Sequence, residues 1–378
     1  MLALRHTVEK FGKEYPDVQD MIINNTYVGD ILYSTDTVEN AFKLIQDTEK
    51  ILSQGSFRVK HWIVNGHYES CKVNVIKSDH EILGLKWNPL DDHFFFTVKP
   101  NFSSRIRKIR SGPNLNSDEI DDKFPEHLTR RMILSQIASI YDPLGFAVPV
   151  LLKAKILMRL VISQGESKDG GIKWDDPLDI STVKESKMFF KELYELEKLT
   201  FRRSLIPSNV VGKPSLIIFL DGSMQAYGAC AYVRWQTGED EFDSHLIAAR
   251  KKITPMKQMS IPRLELCAAL MATRLRESIL KEFTWKFEAI YHIVDSSIVR
   301  SQIQKESHGF NTFVAVRIAE IQIKTDLKEW WYSDYYKLLR VTCRVMNVFK
   351  YRSFKGILRS PTVQGMQKYY GSKKCRRA

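Results

Sequence analysis

Three carboxylates stand in settings that fit one chemistry. Asp221 ends the apolar run Ser215-Leu-Ile-Ile-Phe-Leu220, Glu265 lies in the helix-like stretch Pro262-Arg-Leu-Glu-Leu-Cys-Ala-Ala-Leu270, and Asp295 ends Ile290-Tyr-His-Ile-Val294. Metal-assisted phosphodiester cleavage asks for such a set: two divalent cations about 4 Å apart, clamping the attacking and leaving oxygens and held by oxygen ligands from different elements. Taken singly, an acid after an apolar strand is ordinarily a turn residue or a helix cap. The joint arrangement of the three is what points to ligands for Mg²⁺ or Mn²⁺.

The elements that must position them can be read from periodicity. Residues 215–220 form an uninterrupted apolar run, as in a central strand buried on both faces, and an acid at its end emerges at the sheet rim. Leu264, Cys267, Ala268, Met271 and Leu275 follow helical spacing, which puts Glu265 at the border of the packed face. The pattern predicts strands near 215–220, 227–235 and 244–249, a helix over 262–282 and a strand over 287–294. Helices near 296–304 and 311–323 and a strand over 329–332 follow. Upstream it predicts a hairpin within 26–33, a helix capped by Asp36 or Thr37 and ended by Gly55, and strands over 57–64 and 94–99. A polar linker is expected over 101–126, then helices around 127–140, 147–163 and 182–197, with Tyr141-Asp-Pro-Leu-Gly145 as a turn. The expected class is α/β (α+β). The domains expected are 1–126, 127–214, 215–334 and a basic end, 335–378.

The local sequences carry a resemblance. Phe219-Leu-Asp-Gly-Ser-Met-Gln-Ala-Tyr-Gly-Ala-Cys-Ala-Tyr232, His245-Leu-Ile-Ala-Ala-Arg-Lys-Lys-Ile-Thr-Pro255, Ile261-Pro-Arg-Leu-Glu-Leu266 and Val294-Asp-Ser-Ser-Ile-Val299 resemble the ribonuclease H-like region of Pao/BEL long-terminal-repeat retrotransposon polyproteins. Tyr27-Val-Gly-Asp-Ile-Leu32, Lys60-His-Trp-Ile-Val-Asn65, Leu83-Gly-Leu-Lys-Trp-Asn88 and Ser139-Ile-Tyr-Asp-Pro-Leu-Gly-Phe146 resemble the palm, thumb and connection of the same polyprotein, in the same order. The resemblance implies a partial reverse transcriptase palm and thumb over 1–126, a helical connection over 127–214 and a ribonuclease H-like domain over 215–334. It also implies Asp221, Glu265 and Asp295 as catalytic metal ligands, and RNA, DNA or their hybrid as partners, with other pol-derived chains as companions.

Departures from the family pattern alter the expected activity. The family's polymerase motif is Tyr-Val-Asp-Asp, whereas Gly29 occupies the third position here and leaves Asp30 as the polymerase remnant. By resemblance, the other polymerase aspartate lies upstream of Leu2, so DNA synthesis by this chain alone is not expected. The segment that carries the fourth nuclease carboxylate is also replaced: Tyr332-Ser333 runs into Asp334-Tyr-Tyr-Lys-Leu-Leu-Arg-Val-Thr342, where Asp334 reads as a helix cap. Three carboxylates can still take one Mg²⁺ weakly, since that ion keeps several waters. The family has also been described through a retrotransposon peptidase. Retroviral-type peptidases pair two aspartates from Asp-Thr-Gly or Asp-Ser-Gly, and neither tripeptide occurs here. No peptidase activity is expected.

The chain has 57 Lys and Arg against 44 Asp and Glu, a formal charge of +13. Twelve of the basic residues and no acid lie from Tyr335 onward, which leaves 45 against 44 over residues 1–334. The excess therefore belongs to the end of the chain. Lys350, Arg352, Lys355, Arg359, Lys373, Lys374, Arg376 and Arg377, interleaved with Phe349, Tyr351, Phe354, Tyr369 and Tyr370, form a pattern able to neutralise phosphates and stack on bases. A solvated basic tail would read the same way. The five cysteines show no paired spacing, and His61, His67 and Cys71 lack a fourth zinc ligand. With no apolar run fit to span a membrane, an intracellular chain is expected, cytoplasmic or nuclear.

Two functions remain open at this level. One is a fragment of a Pao-type reverse transcriptase and ribonuclease H, without polymerase activity and with an impaired nuclease. The other is a non-catalytic nucleic-acid binder on a ribonuclease H-like scaffold. The palm remnant, lacking the fingers that would cover it, is expected to expose apolar patches.

Overall fold

The computed structural model describes residues 2–65, 80–82, 84–103, 105–106, 109–163 and 173–333. Asp334, the basic residues from Lys350 to Arg377, His67 and Cys71 lie outside them. The chain divides into two compact units, Met1–Val210 with Ile247–Ile253, and Val211–Leu246 with Thr254–Ala378.

In the first unit, α1 (Leu2–Phe11), α2 (Pro16–Asn24) and α3 (Val38–Gln54) pack on one another around Val8, Val18, Met21, Ile22, Ile51 and Leu52. The first 65 residues thus close a core of their own, while Leu2, Tyr27 and Val28 stay exposed. Between α2 and α3, β1 (Thr26–Tyr27) and β2 (Asp30–Ile31) make a two-residue hairpin with Tyr27 opposite Asp30. Thr37, rather than Asp36, caps α3 by accepting from the Asn40 N–H at 3.2 Å. Residues 57–64 form no strand. Their alternation is spent on the helical core instead: Phe57, Val59 and Trp62 pack against it, and the Trp62 indole donates to Glu49 at 2.9 Å.

β3 (His80–Ile82), β4 (Leu85–Asn88), β5 (His93–Phe95) and β8 (Thr200–Arg202) make an antiparallel sheet in that order. The stretch 101–126 is not an open linker. It holds the hairpin β6 (Arg105–Ile106) and β7 (Ile109–Arg110) and the short α4 (Ile120–Lys123). It is pinned where buried Gln136 accepts from the Asn101 N–H at 2.9 Å and donates to its carbonyl at 2.6 Å. Polar composition misled here, because a buried side chain satisfies this backbone in place of water. Helices α5 (Arg130–Ile137), α6 (Val148–Ser163) and α7 (Ile180–Leu193) follow as the periodicity predicts. In the turn before α6, Asp142 accepts from the N–H groups of Gly145, Phe146 and Ala147 at 2.8–3.0 Å.

The second unit positions the carboxylates. β9 (Val211–Gly222), β10 (Ala226–Gly238), β11 (Glu241–Ile253), β12 (Ala289–Val294) and β13 (Trp330–Tyr332) form a five-stranded sheet in the order β11-β10-β9-β12-β13. β9 and β10 are antiparallel, whereas β12 runs parallel to both β9 and β13. Burial along β9 alternates rather than covering both faces equally: Leu216 and Ile218 are wholly buried and Leu220 nearly so, while Ile217 and Phe219 are half-buried. The long helix α8 (Ile261–Glu282) lays Leu264, Ala268, Ala272, Leu275 and Ile279 against β9 and β10. The shorter α9 (Ser297–Ile303) follows β12, and α10 (Thr312–Lys324) packs along α8. Among the described residues, no helix is long and apolar enough to cross a membrane.

Candidate active site

Asp221 reaches the rim because β9 is one residue from its end. Its carboxylate accepts from the Gly222 N–H at 2.7 Å and stays accessible to solvent. Gly222 is required by packing: a Cβ there would meet the backbone N of Glu265 at 2.6 Å and the carbonyl carbon of Leu264 at 2.7 Å. That contact, far inside normal van der Waals distance, seats the first turn of α8 on the strand end that carries Asp221. The Asp-Gly pair therefore sets both an acid and the approach of the helix bearing the next one.

Glu265 emerges in the first turns of α8 and takes a hydrogen bond from Ser296. The same Ser296 hydroxyl caps α9, accepting from the Val299 N–H at 3.3 Å. One hydroxyl can do both, since it donates once and accepts twice. Asp295 precedes this serine at the end of β12, and its Oδ1 is buried without a hydrogen-bond partner.

The electrostatics tie the three acids together. Burial pushes the Glu265 carboxyl up to about 7, with Asp295 and Asp221 adding to the rise and Ser296 opposing it. Asp295 is pushed up to about 6, first by burial and then by Asp221. Asp221 is also raised, by its protein surroundings, against the pull of the Gly222 N–H. It is open on one side and enclosed on the others, so its carboxyl loses hydration without losing access. Asp221 thus lifts both of the other carboxyls and Asp295 lifts Glu265, so the ionised form of the site gains from a cation.

The donors suit a hard divalent ion in kind, being carboxylate oxygens, one of them orphaned. Among the described residues, however, no three acid, histidine or cysteine side chains stand close enough to hold a metal ion. Binding one requires the carboxyls to draw together. Asp30, expected from the resemblance to be a polymerase remnant, is exposed on β2 beyond the Val28-Gly29 turn, where Val28 has φ 52°. It belongs to no such group of three either.

Two further clusters were not singled out in the sequence. In α10, the Arg317 guanidinium lies over the Phe313 ring at 3.6 Å and donates to the Phe313 carbonyl at 2.8 Å, while Arg263 of α8 approaches the same ring at 5.2 Å. The i, i+4 spacing of Phe313 and Arg317 is the local signal for the first contact. Nothing in the sequence places Arg263 beside them. The second cluster is buried between β12, β13 and α8. There His292, fully buried, stacks on Trp330 at 4.4 Å, and Arg276 donates to Glu329 at 2.6 Å. The imidazole is held neutral by burial and by Arg276, its pKa lowered to about 3, so its 3.5 Å approach to Glu329 is not an ion pair.

Residues 129–296 match the family model of the Pao retrotransposon-like RNaseH-like domain. Among curated proteins none matches. Among solved structures, a foamy viral protease-reverse transcriptase dRH in complex with double-stranded DNA aligns with 84% of this chain and 48% of its own, at 14% identity and a TM-score of 0.45. A second foamy viral protease-reverse transcriptase, also with double-stranded DNA, aligns with 85% of this chain and 57% of its own, at 14% identity and a TM-score of 0.43. RNase H1 from the halophilic archaeon Halobacterium salinarum NRC-1 aligns with 33% of this chain and 88% of its own, at 13% identity and a TM-score of 0.22. The chain thus spans about half the length of the foamy viral chains it matches.

Proposed function

From the match of residues 129–296 to the Pao retrotransposon-like RNaseH-like family model, we propose that the chain is a pol-derived protein whose ribonuclease H-like unit binds RNA/DNA hybrid and cleaves it slowly. The observation that carries this reading is the placing of Asp221 and Asp295 at the ends of β9 and β12 and of Glu265 in the first turns of α8, where Asp221 raises both other carboxyls and Asp295 Oδ1 is buried and unpartnered. These three residues would hold one Mg²⁺ or Mn²⁺. When bound, that ion supplies charge neutralisation at the phosphoryl oxygens and an acidified water. The chain's own contribution is to aim the donors: the Gly222 N–H orients Asp221, and Ser296 fixes Glu265. Slow turnover follows from a carboxylate set of three that is not drawn together in this structure. Among the described residues Asp30 has no two further acids around it, and no DNA synthesis is expected from it.

A second reading, binding without cleavage, is favoured by the same lack of a metal-ready cluster among the described residues. The test is cleavage of a labelled RNA/DNA hybrid by the full chain in Mg²⁺ and in Mn²⁺, beside Asp221→Asn and a parallel binding titration. Cleavage that disappears in Asp221→Asn supports the nuclease. Tight, salt-sensitive binding with no cut strand in either metal supports the binder, and neither binding nor cleavage overturns both.

A further inference from the structure

The ring of Phe313 carries a guanidinium on each of two neighbouring helices. Arg317, one helical turn along α10, is locked: it stacks on the ring, donates to the Phe313 carbonyl, and its Nε is buried without a partner. Its charge also acts on the Tyr227 hydroxyl of β10, which places it against the sheet. Arg263, by contrast, is exposed and forms no ion pair among the described residues. This is unusual for the helix it sits on, where Arg274 pairs with Glu320 at 2.8 Å and Arg276 with Glu329 at 2.6 Å.

The direction of the two helices decides where this unpaired charge points its chemistry. Arg263 meets Phe313, Arg274 meets Glu320, and Arg276 meets the Lys324 carbonyl, so contacts advance along α8 and α10 together. The helices therefore run side by side in the same direction, and both start at the end of the sheet that carries Asp221 and Asp295. Arg263 lies in the same first turns of α8 as Glu265, two residues ahead of it. An arginine resting on an aromatic face keeps its charge and donors while losing less freedom on binding than a free one.

We infer that Arg263, held on the Phe313–Arg317 stack, is a contact for a backbone phosphodiester of the nucleic-acid strand that lies across the carboxylate site. The inference rests on the nucleic-acid reading above and names the residue that receives the strand. The ligand chemistry is a phosphodiester in a polynucleotide, not a base, so the contact adds affinity without sequence preference. Phe313 and Arg317 act through Arg263 and are positioning residues.

The experiment is the salt dependence of binding of a fluorescein-labelled RNA/DNA hybrid to the full chain, compared with Arg263→Gln, Arg263→Lys, Phe313→Leu and, as a control on the same helix, Arg274→Gln. Loss of one phosphate contact should reduce the slope of log K against log salt by about 0.9 in Arg263→Gln. Arg263→Lys should keep the slope. Phe313→Leu should weaken binding several-fold with little change of slope, because the charge remains while its platform is gone. Arg274→Gln should match the parent chain. Hybrid binding by the parent with an unchanged slope in Arg263→Gln overturns this inference alone, as does an equal slope change in Arg274→Gln. A parent chain that binds no hybrid overturns the inference together with the reading beneath it.

Discussion

At the scale of single residues, the site is defined by acids that are costly to ionise where they stand. Asp295 and Glu265 titrate near 6 and 7 when folded, against 3.8 and 4.5 for the free groups. The folded chain therefore holds these protons more tightly than the unfolded one. Their stabilising contribution is complete below the free-group values and is lost as pH rises through 6 and 7. Without divalent ions, the thermal midpoint should fall between about pH 5 and about pH 7.5, and Asp295→Asn should raise it by a few degrees at the upper end. Added Mg²⁺ should restore it in the parent chain and not in the variant. Calorimetry across that range checks the point, and a pH-independent midpoint would count against it. The elements that carry Asp221, Glu265 and Asp295 were legible in the sequence because strand ends and helical faces leave periodic marks. The hydroxyl of Ser296 and the stack of Arg263 on Phe313 were not, because each joins elements that only the fold brings together.

Secondary-structure elements show the same division. α8 and β12 appear near their expected limits, since long apolar runs and a sustained 3.6-residue period specify them with little help from tertiary contacts, whereas β9 runs from Val211 to Gly222, well past the apolar run 215–220 that marked it. Residues 57–64 kept the alternation of a strand while packing on helices, and 101–126 read as linker although Gln136 satisfies its backbone. In both cases the deciding partner lies far away in sequence. The tie between α8 and the entry to β13 is likewise a distant one. Arg276 and Glu329 are both largely buried, 16% and 14% exposed, and joined at 2.6 Å. Arg276→Ala leaves the carboxylate enclosed without its counter-charge and should cost about 3–5 kcal/mol. Glu329→Gln added to that variant should recover part of the loss, as urea unfolding of the single and double variants would reveal. If the double variant is no more stable than Arg276→Ala, the pair is not what holds this edge of the sheet.

For the whole molecule, the chain divides into two compact units, the first of which closes a helical core of its own. The helices α1, α2 and α3 bury Val8, Ile22 and Ile51 to 1% exposure or less. Gly29 has open space around it, with nothing within 4 Å of an added Cβ. Gly29→Asp should therefore fold as well as the parent and still extend no primer, because Asp30 and its new neighbour would lack a third acid among the described residues. A primer-extension assay with Mg²⁺ or Mn²⁺ tests this. Extension by the variant would mean that another part of the chain completes the site.

The pairing of β9 with β10 also bears on the order of events when the chain folds. These strands, 12 and 13 residues long, are joined by a short turn in which Ser223 accepts and donates across to Ala226. Their ladder needs only a small loop to close, whereas the parallel partner β12 must return across the whole length of β11 and α8. The entropy of that second closure falls due only after a template exists to receive it. The hairpin that carries Asp221 beside its turn is therefore the expected nucleus, and on that order the acids at 265 and 295 join it in turn, so that the meeting of like charges comes late, when the rest of the sheet is already in place to hold them.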